Sequence, residues 1–166
     1  MPNVAAINAH TSDDAIAAFL RCCGSTRWAK TMNARRPFTS SESLFTAATE
    51  IDCELTRADW LEAFAAHPRI GDVDTLRKKF ASTAHLCEGE QSGVLGASED
   101  VLERLSAGNR RYEDRFGYIF IVCATGKSAN EMLALLESRL PNDPLTELTI
   151  AAGEQAKITR LRLEKL

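Results

Sequence analysis

The residue with the most evident chemical use is His67, in the stretch "AHPRIGD" from Ala66 to Asp72. An imidazole titrates near neutral pH and can give or take a proton. It can equally cap a helix by bonding the last carbonyls, where the dipole favours a cation. Both uses stay open at this point. Pro68 disfavours helical geometry in the residue before it, so a helix must end near His67. In "CEGEQSG", Glu90 and Gln91 offer a carboxylate and an amide, of interest only if His67 lies near, because an isolated loop carboxylate is ordinarily solvated. In "KITRLRLEKL", Arg160 and Arg162 lie ~200° apart at 100° per residue, so one can face inward while the other is solvated. His10 and His85 carry no motif and are expected at the surface.

Several function classes are disfavoured. The stretch "ATGKS" ends like a phosphate-binding loop, but that loop requires glycine at position 121, where Ile121 stands. There is no H-E-x-x-H, no Ca²⁺ loop and no histidine pair at helical spacing, so a metal would need scattered ligands such as His67, Asp72 and Glu90. A net charge of -3, with 20 basic and 23 acidic residues, argues against nucleic acid as a partner. No apolar run approaches the ~20 residues that span a bilayer. The first twenty residues lack the basic start and apolar core of a signal peptide, and the terminal "EKL" is not Ser-Lys-Leu, so a cytoplasmic location is expected. Cys22, Cys23, Cys53, Cys87 and Cys123 form no C-x-x-C pair and are expected as reduced, mostly packed thiols.

These residues must be held by helices. The 166 residues, 45% of them hydrophobic, fit one domain over residues 1–166 that buries roughly two thirds of its unfolded surface. Thr11 to Asp14 caps a helix with Ile16, Phe19, Leu20 and Cys23 on one face and Gly24 as its stop. Further helical periods carry Trp28 and Met32; Leu44, Ala47, Ala48, Ile51 and Leu55; and Trp60, Leu61 and Phe64 after a Thr56 cap. "VDTLRKKF" is a short helix, Ser98 caps another with Val101, Leu102, Leu105 and Tyr112 inward, "SANEMLALLESRL" stops at Pro141, and a last helix runs from about Pro144. The fold class is therefore an all-α multi-helix bundle. One segment resists: "YIFIVCA", Tyr118 to Ala124, is apolar, rich in β-branched and aromatic residues and bounded by Gly117 and Gly126, and reads as a buried strand as much as a helix. If extended among helices, its N–H and C=O groups need other partners, and a polar ligand could supply them.

Taken together and in this order, "AHPRIGD", "GEQSG", "RFGYIFIVCATGKS" and "KITRLRLEKL" resemble the family of 2-oxo-4-hydroxy-4-carboxy-5-ureidoimidazoline (OHCU) decarboxylases, which act in the conversion of urate to allantoin. The resemblance runs from about Ala5 to Leu166. It implies an all-helical, cofactor-free enzyme, usually a homodimer, that converts the ureidoimidazoline to (S)-allantoin and CO₂. It assigns catalysis to His67, Glu90 and Arg162, and substrate contact to Pro68, Cys87, Gln91, Phe120, Ile121, Val122, Cys123 and Ala124. Cys87 departs from the pattern, since the family often has a small hydroxyl residue there and a thiol is a weaker hydrogen-bonding partner. A helical ligand- or partner-binding module, with His67 only a cap, is the alternative.

Overall fold

The computed structural model describes residues 1–69, 71–84 and 98–166. These residues form an all-α chain of nine helices with no strand among them. They group into two compact units, residues Met1–His67 with Ile121–Cys123 and Leu148–Leu166, and residues Pro68–Phe120 with Ala124–Glu147.

The first unit contains α1 (Val4–Ala9), α2 (Ser12–Cys23), α3 (Thr26–Ala34), α4 (Ser41–Glu54), α5 (Arg57–Ala65) and the greater part of α9 (Pro144–Leu163). Side-chain oxygens start the helices: Thr11 accepts from the Asp14 amide, Ser25 from that of Trp28, and capping boxes join Ser40 to Ser43 and Thr56 to Asp59. Each such cap contributes about 1 kcal/mol. The core gathers Phe19, Trp28, Met32, Phe38, Leu44, Ile51 and Leu163, with Phe19 edge-on to both Trp28 and Phe38. Each large side chain so buried contributes about 1.5–3 kcal/mol.

Two details differ from the periodicity. Residues Val4–Ala9 form a helix that the sequence pattern did not single out. On α2 the fully buried face is Ala15, Ala18, Phe19, Cys22 and Cys23, while Ile16 and Leu20 are only partly covered. Small residues on the inner face let α3 approach closely. Gly24 closes α2 at φ +89°, and a Cβ there would lie 2.6 Å from the Ala66 Cβ, so only glycine fits between the ends of α2 and α5.

The second unit contains α6 (Val73–Ala84), α7 (Glu99–Phe116) and α8 (Ala129–Arg139). Asp72 starts α6 by accepting from the Thr75 amide at 2.8 Å, which makes it a cap. A buried polar cluster anchors this unit: the Glu147 carboxylate accepts from Tyr112, Arg139 and Asn142. Burial and the bond to Glu147 hold the Tyr112 phenol far above its ordinary pKa, so it remains a donor. Arg139 also lies 4.6 Å over the Phe120 ring. The segment after Phe116 takes neither expected form; residues 119–124 are neither helical nor laddered.

Candidate functional site

α5 stops at its C-cap Ala66, and His67 follows with its amide bonded to the Phe64 carbonyl at 3.1 Å. The ring does not cap the helix. Its Nε2 sits 2.6 Å from Gln155 Oε1 on α9, and the side chain is half-buried. Gln155 is fully buried, and its amide nitrogen donates to the Cys23 carbonyl at 3.3 Å and to Thr159 Oγ1 at 3.2 Å. The capping use of His67 is thus replaced by a side-chain contact 88 residues away in sequence.

Burial holds the His67 pKa below the usual 6.5; the bond to Gln155 opposes this, and the nearby Arg162 guanidinium reinforces it. The imidazole is therefore neutral at neutral pH. If it serves as a base, kcat/KM should stay flat as pH falls through 6.5 and decline only below it. A pH–rate profile with its acidic limb above 6.5 would contradict this placement.

Arg162 follows Gln155 by seven residues, two helical turns, and so shares its face of α9. Its Nη1 donates to the carbonyls of Cys22 at 3.1 Å and Arg21 at 3.3 Å, the end of α2 where the dipole favours a cation. Arg160 points elsewhere: it lies 4.1 Å over the Phe45 ring, its side chain is 58% exposed, and it pairs with Glu164. The divergence of the two arginines follows the helical spacing.

Within the same unit, Ile121 is buried, and Val122 and Cys123 are partly so. The Cys123 amide donates to Glu154 Oε2 at 2.7 Å, and Glu154 also pairs with Lys157. In the second unit the Ala124 carbonyl accepts from the Lys127 amide at 3.0 Å. Two backbone groups of the apolar run thus have partners within the protein. Cys22 and Cys23 are buried free thiols, their pKa values pushed up by burial to about 11 and about 12. Among the described residues, no group of three or more His, Cys, Asp or Glu side chains is placed to hold a metal ion. No helix among them is long and apolar enough to cross a membrane.

The sequence model of a family described as OHCU decarboxylase matches residues 8–164. The chain belongs to the OHCU decarboxylase family. It is 43% identical over 148 residues to the uric acid degradation bifunctional protein TTL of Arabidopsis thaliana, covering 87% of this chain and 45% of that protein. It is 30% identical to the 2-oxo-4-hydroxy-4-carboxy-5-ureidoimidazoline decarboxylase of Amia calva, over 79% of this chain and 74% of the relative. This OHCU-family chain thus spans less than half of the plant protein's length. A crystal structure of an OHCU decarboxylase in the presence of (S)-allantoin superposes with a TM-score of 0.71 at 36% identity, over 94% of this chain and 97% of the other. A crystal structure of (S)-allantoin synthase shares the fold, with a TM-score of 0.74 at 19% identity over 99% of this chain and 53% of that one.

Of the site residues that the OHCU decarboxylase pattern assigns, His67, Arg162, Ile121, Val122 and Cys123 fall in the first unit. Pro68, Phe120 and Ala124 fall in the second, Pro68 exposed and Phe120 packed 5.1 Å from the Tyr112 ring. Cys87, Glu90 and Gln91 lie outside the described residues, as does His85. The motifs did not reveal Gln155 or Glu154. A signal existed: on α9, Ala151, Gln155, Thr159 and Leu163 recur every fourth residue and are all buried, so two polar side chains sit in an inward stripe.

Proposed function

We propose that residues 1–166 act as one catalytic domain that decarboxylates 2-oxo-4-hydroxy-4-carboxy-5-ureidoimidazoline to (S)-allantoin and CO₂, working as a homodimer in the cytoplasm. The observation that carries this is His67, half-buried at the end of α5, held through one ring nitrogen by Gln155. Membership of the OHCU decarboxylase family supports the substrate and the reaction.

The chemistry lies mostly in the substrate. Its reacting carbon bears both a hydroxyl and the carboxylate and adjoins a ring C=N bond. When the bond to the carboxylate breaks, CO₂ departs and the electron pair forms a double bond to the neighbouring carbon as the C=N nitrogen takes up a proton from solvent, giving a planar enol-like intermediate. The hydroxyl then loses its proton as the carbonyl forms, and the neighbouring carbon gains one. Protein groups need only orient the ring, manage the hydroxyl proton and deliver a proton to one face. His67 exchanges the hydroxyl proton and Glu90 shares it. Arg162 holds charge that persists or grows on the ring, because gripping the carboxylate equally in ground and transition states would add affinity without rate. Pro68, Cys87, Gln91 and the run from Phe120 to Ala124 bound the substrate.

Incubation with freshly generated substrate tests the proposal. Ultraviolet absorbance should decay faster with catalytic amounts of the protein than in buffer alone. An unchanged decay rate would leave a helical binding module as the function.

A further inference from the structure

Gln155 does more than fill a buried position, and its own partners show how. Its amide nitrogen faces the Cys23 backbone carbonyl, which can only accept a hydrogen bond, at 3.3 Å, and reaches the Thr159 hydroxyl at 3.2 Å. Rotating the amide by 180° would bring its oxygen against the Cys23 oxygen, two acceptors with no proton between them. The amide orientation is therefore fixed by the backbone at the end of α2, and Gln155 Oε1 must be the atom 2.6 Å from His67 Nε2. An amide oxygen only accepts, so the proton between them belongs to Nε2. In a neutral imidazole one nitrogen is a donor and the other an acceptor. Arg162, seven residues further along the same face of α9, is the charged group that bears on the ring from that helix, and it opposes protonation of His67.

Building on the decarboxylase proposal, in which His67 is the acid–base group, we infer that Gln155 is a positioning residue that fixes His67 in the tautomer protonated on Nε2. Nδ1 is then the nitrogen that exchanges a proton with the substrate hydroxyl. The chain Cys23 carbonyl, Gln155 amide, His67 imidazole thus transmits a backbone position into the choice of the basic atom. Gln155 is buried and needs no contact with substrate to do this.

The test is nitrogen NMR of the whole chain with ¹⁵N-labelled histidine side chains, at a pH where His67 is neutral. His67 is assigned by the signals lost in His67→Asn. The expected spectrum shows a protonated, pyrrole-like Nε2 and an unprotonated, pyridine-like Nδ1. Gln155→Met, close in volume and unable to accept in the same way, should bring the two nitrogens toward averaged shifts. It should also lower kcat by about 10-fold or more with little change in KM, as expected when a base is held in the wrong tautomer. A wild-type spectrum with the proton on Nδ1 would overturn the inference, and it decides the matter even if Gln155→Met does not fold. A folded Gln155→Met with unchanged tautomer and kcat would overturn it equally. Failure of the decarboxylase proposal itself shows separately, as unaccelerated substrate decay by the wild-type protein.

Discussion

His67→Asn is expected to lower turnover by ~10² or more while the protein stays folded. Asparagine keeps a polar group at the place of Nδ1 but does not reach Gln155 as Nε2 does, and it cannot exchange a proton near neutral pH. The backbone amide bond to Phe64 is untouched, but the buried Gln155 Oε1 loses its donor at a cost of about 1–3 kcal/mol, so the melting temperature should fall while the fold survives. Turnover close to wild type would mean that the ring serves only to tie α5 to α9. The companion variant Glu90→Gln should also lose rate. If both residues handle one proton, the double variant should lose less than the sum of the two on a logarithmic scale. Fully additive losses would assign them independent work.

Arg162→Ala should reduce kcat by ~10² or more, the scale of removing a group that meets developing charge, whereas Arg160→Ala should change it by about twofold at most. Residues two apart on a helix cannot share a face, and here they do not: Arg162 turns to the carbonyls at the end of α2, Arg160 to the Phe45 ring and solvent. Arg162→Ala also removes the donor to Cys22 and Arg21, worth on the order of 1 kcal/mol or more in stability, so the melting temperature must be measured alongside. A loss of kcat beyond what partial unfolding explains marks the catalytic share. Arg162→Lys restores the charge without the planar fork and should recover only part of the activity. The reverse ranking of Arg160 and Arg162 would show that the wrong face of α9 had been given to the substrate.

Helix after helix follows from local chemistry. Thr11 and Gly24 bracket α2, Thr56 begins α5, and Pro68 keeps it from running past the C-cap Ala66, just before His67. The divergence of Arg160 and Arg162 could be read from residue spacing alone. What spacing could not give is what each inward side chain meets. Gln155 bonds a histidine 88 positions away, and Glu154 accepts from an amide 31 positions away, contacts made only when α9 packs in three dimensions. α1 escaped because a six-residue helix has too few turns to show a period. The apolar run of Tyr118 to Ala124 reads as a buried strand as much as a helix and forms neither, and its backbone is partly satisfied by the Glu154 carboxylate rather than held wholly for a ligand.

As a decarboxylase of this kind, the chain must control the whole course of the reaction, including the face on which the intermediate is protonated. Free in water, a planar enol-like species takes a proton from either side equally and yields racemic allantoin. Circular dichroism of the product measures the difference directly, provided the reaction is run to completion quickly, before spontaneous racemisation. The expected result is a signal of (S)-allantoin that grows as substrate absorbance falls. A signal that stays at zero while substrate disappears faster than in the protein-free control would mean that the intermediate is released unprotonated, and control of that proton by His67 and its neighbours would be contradicted.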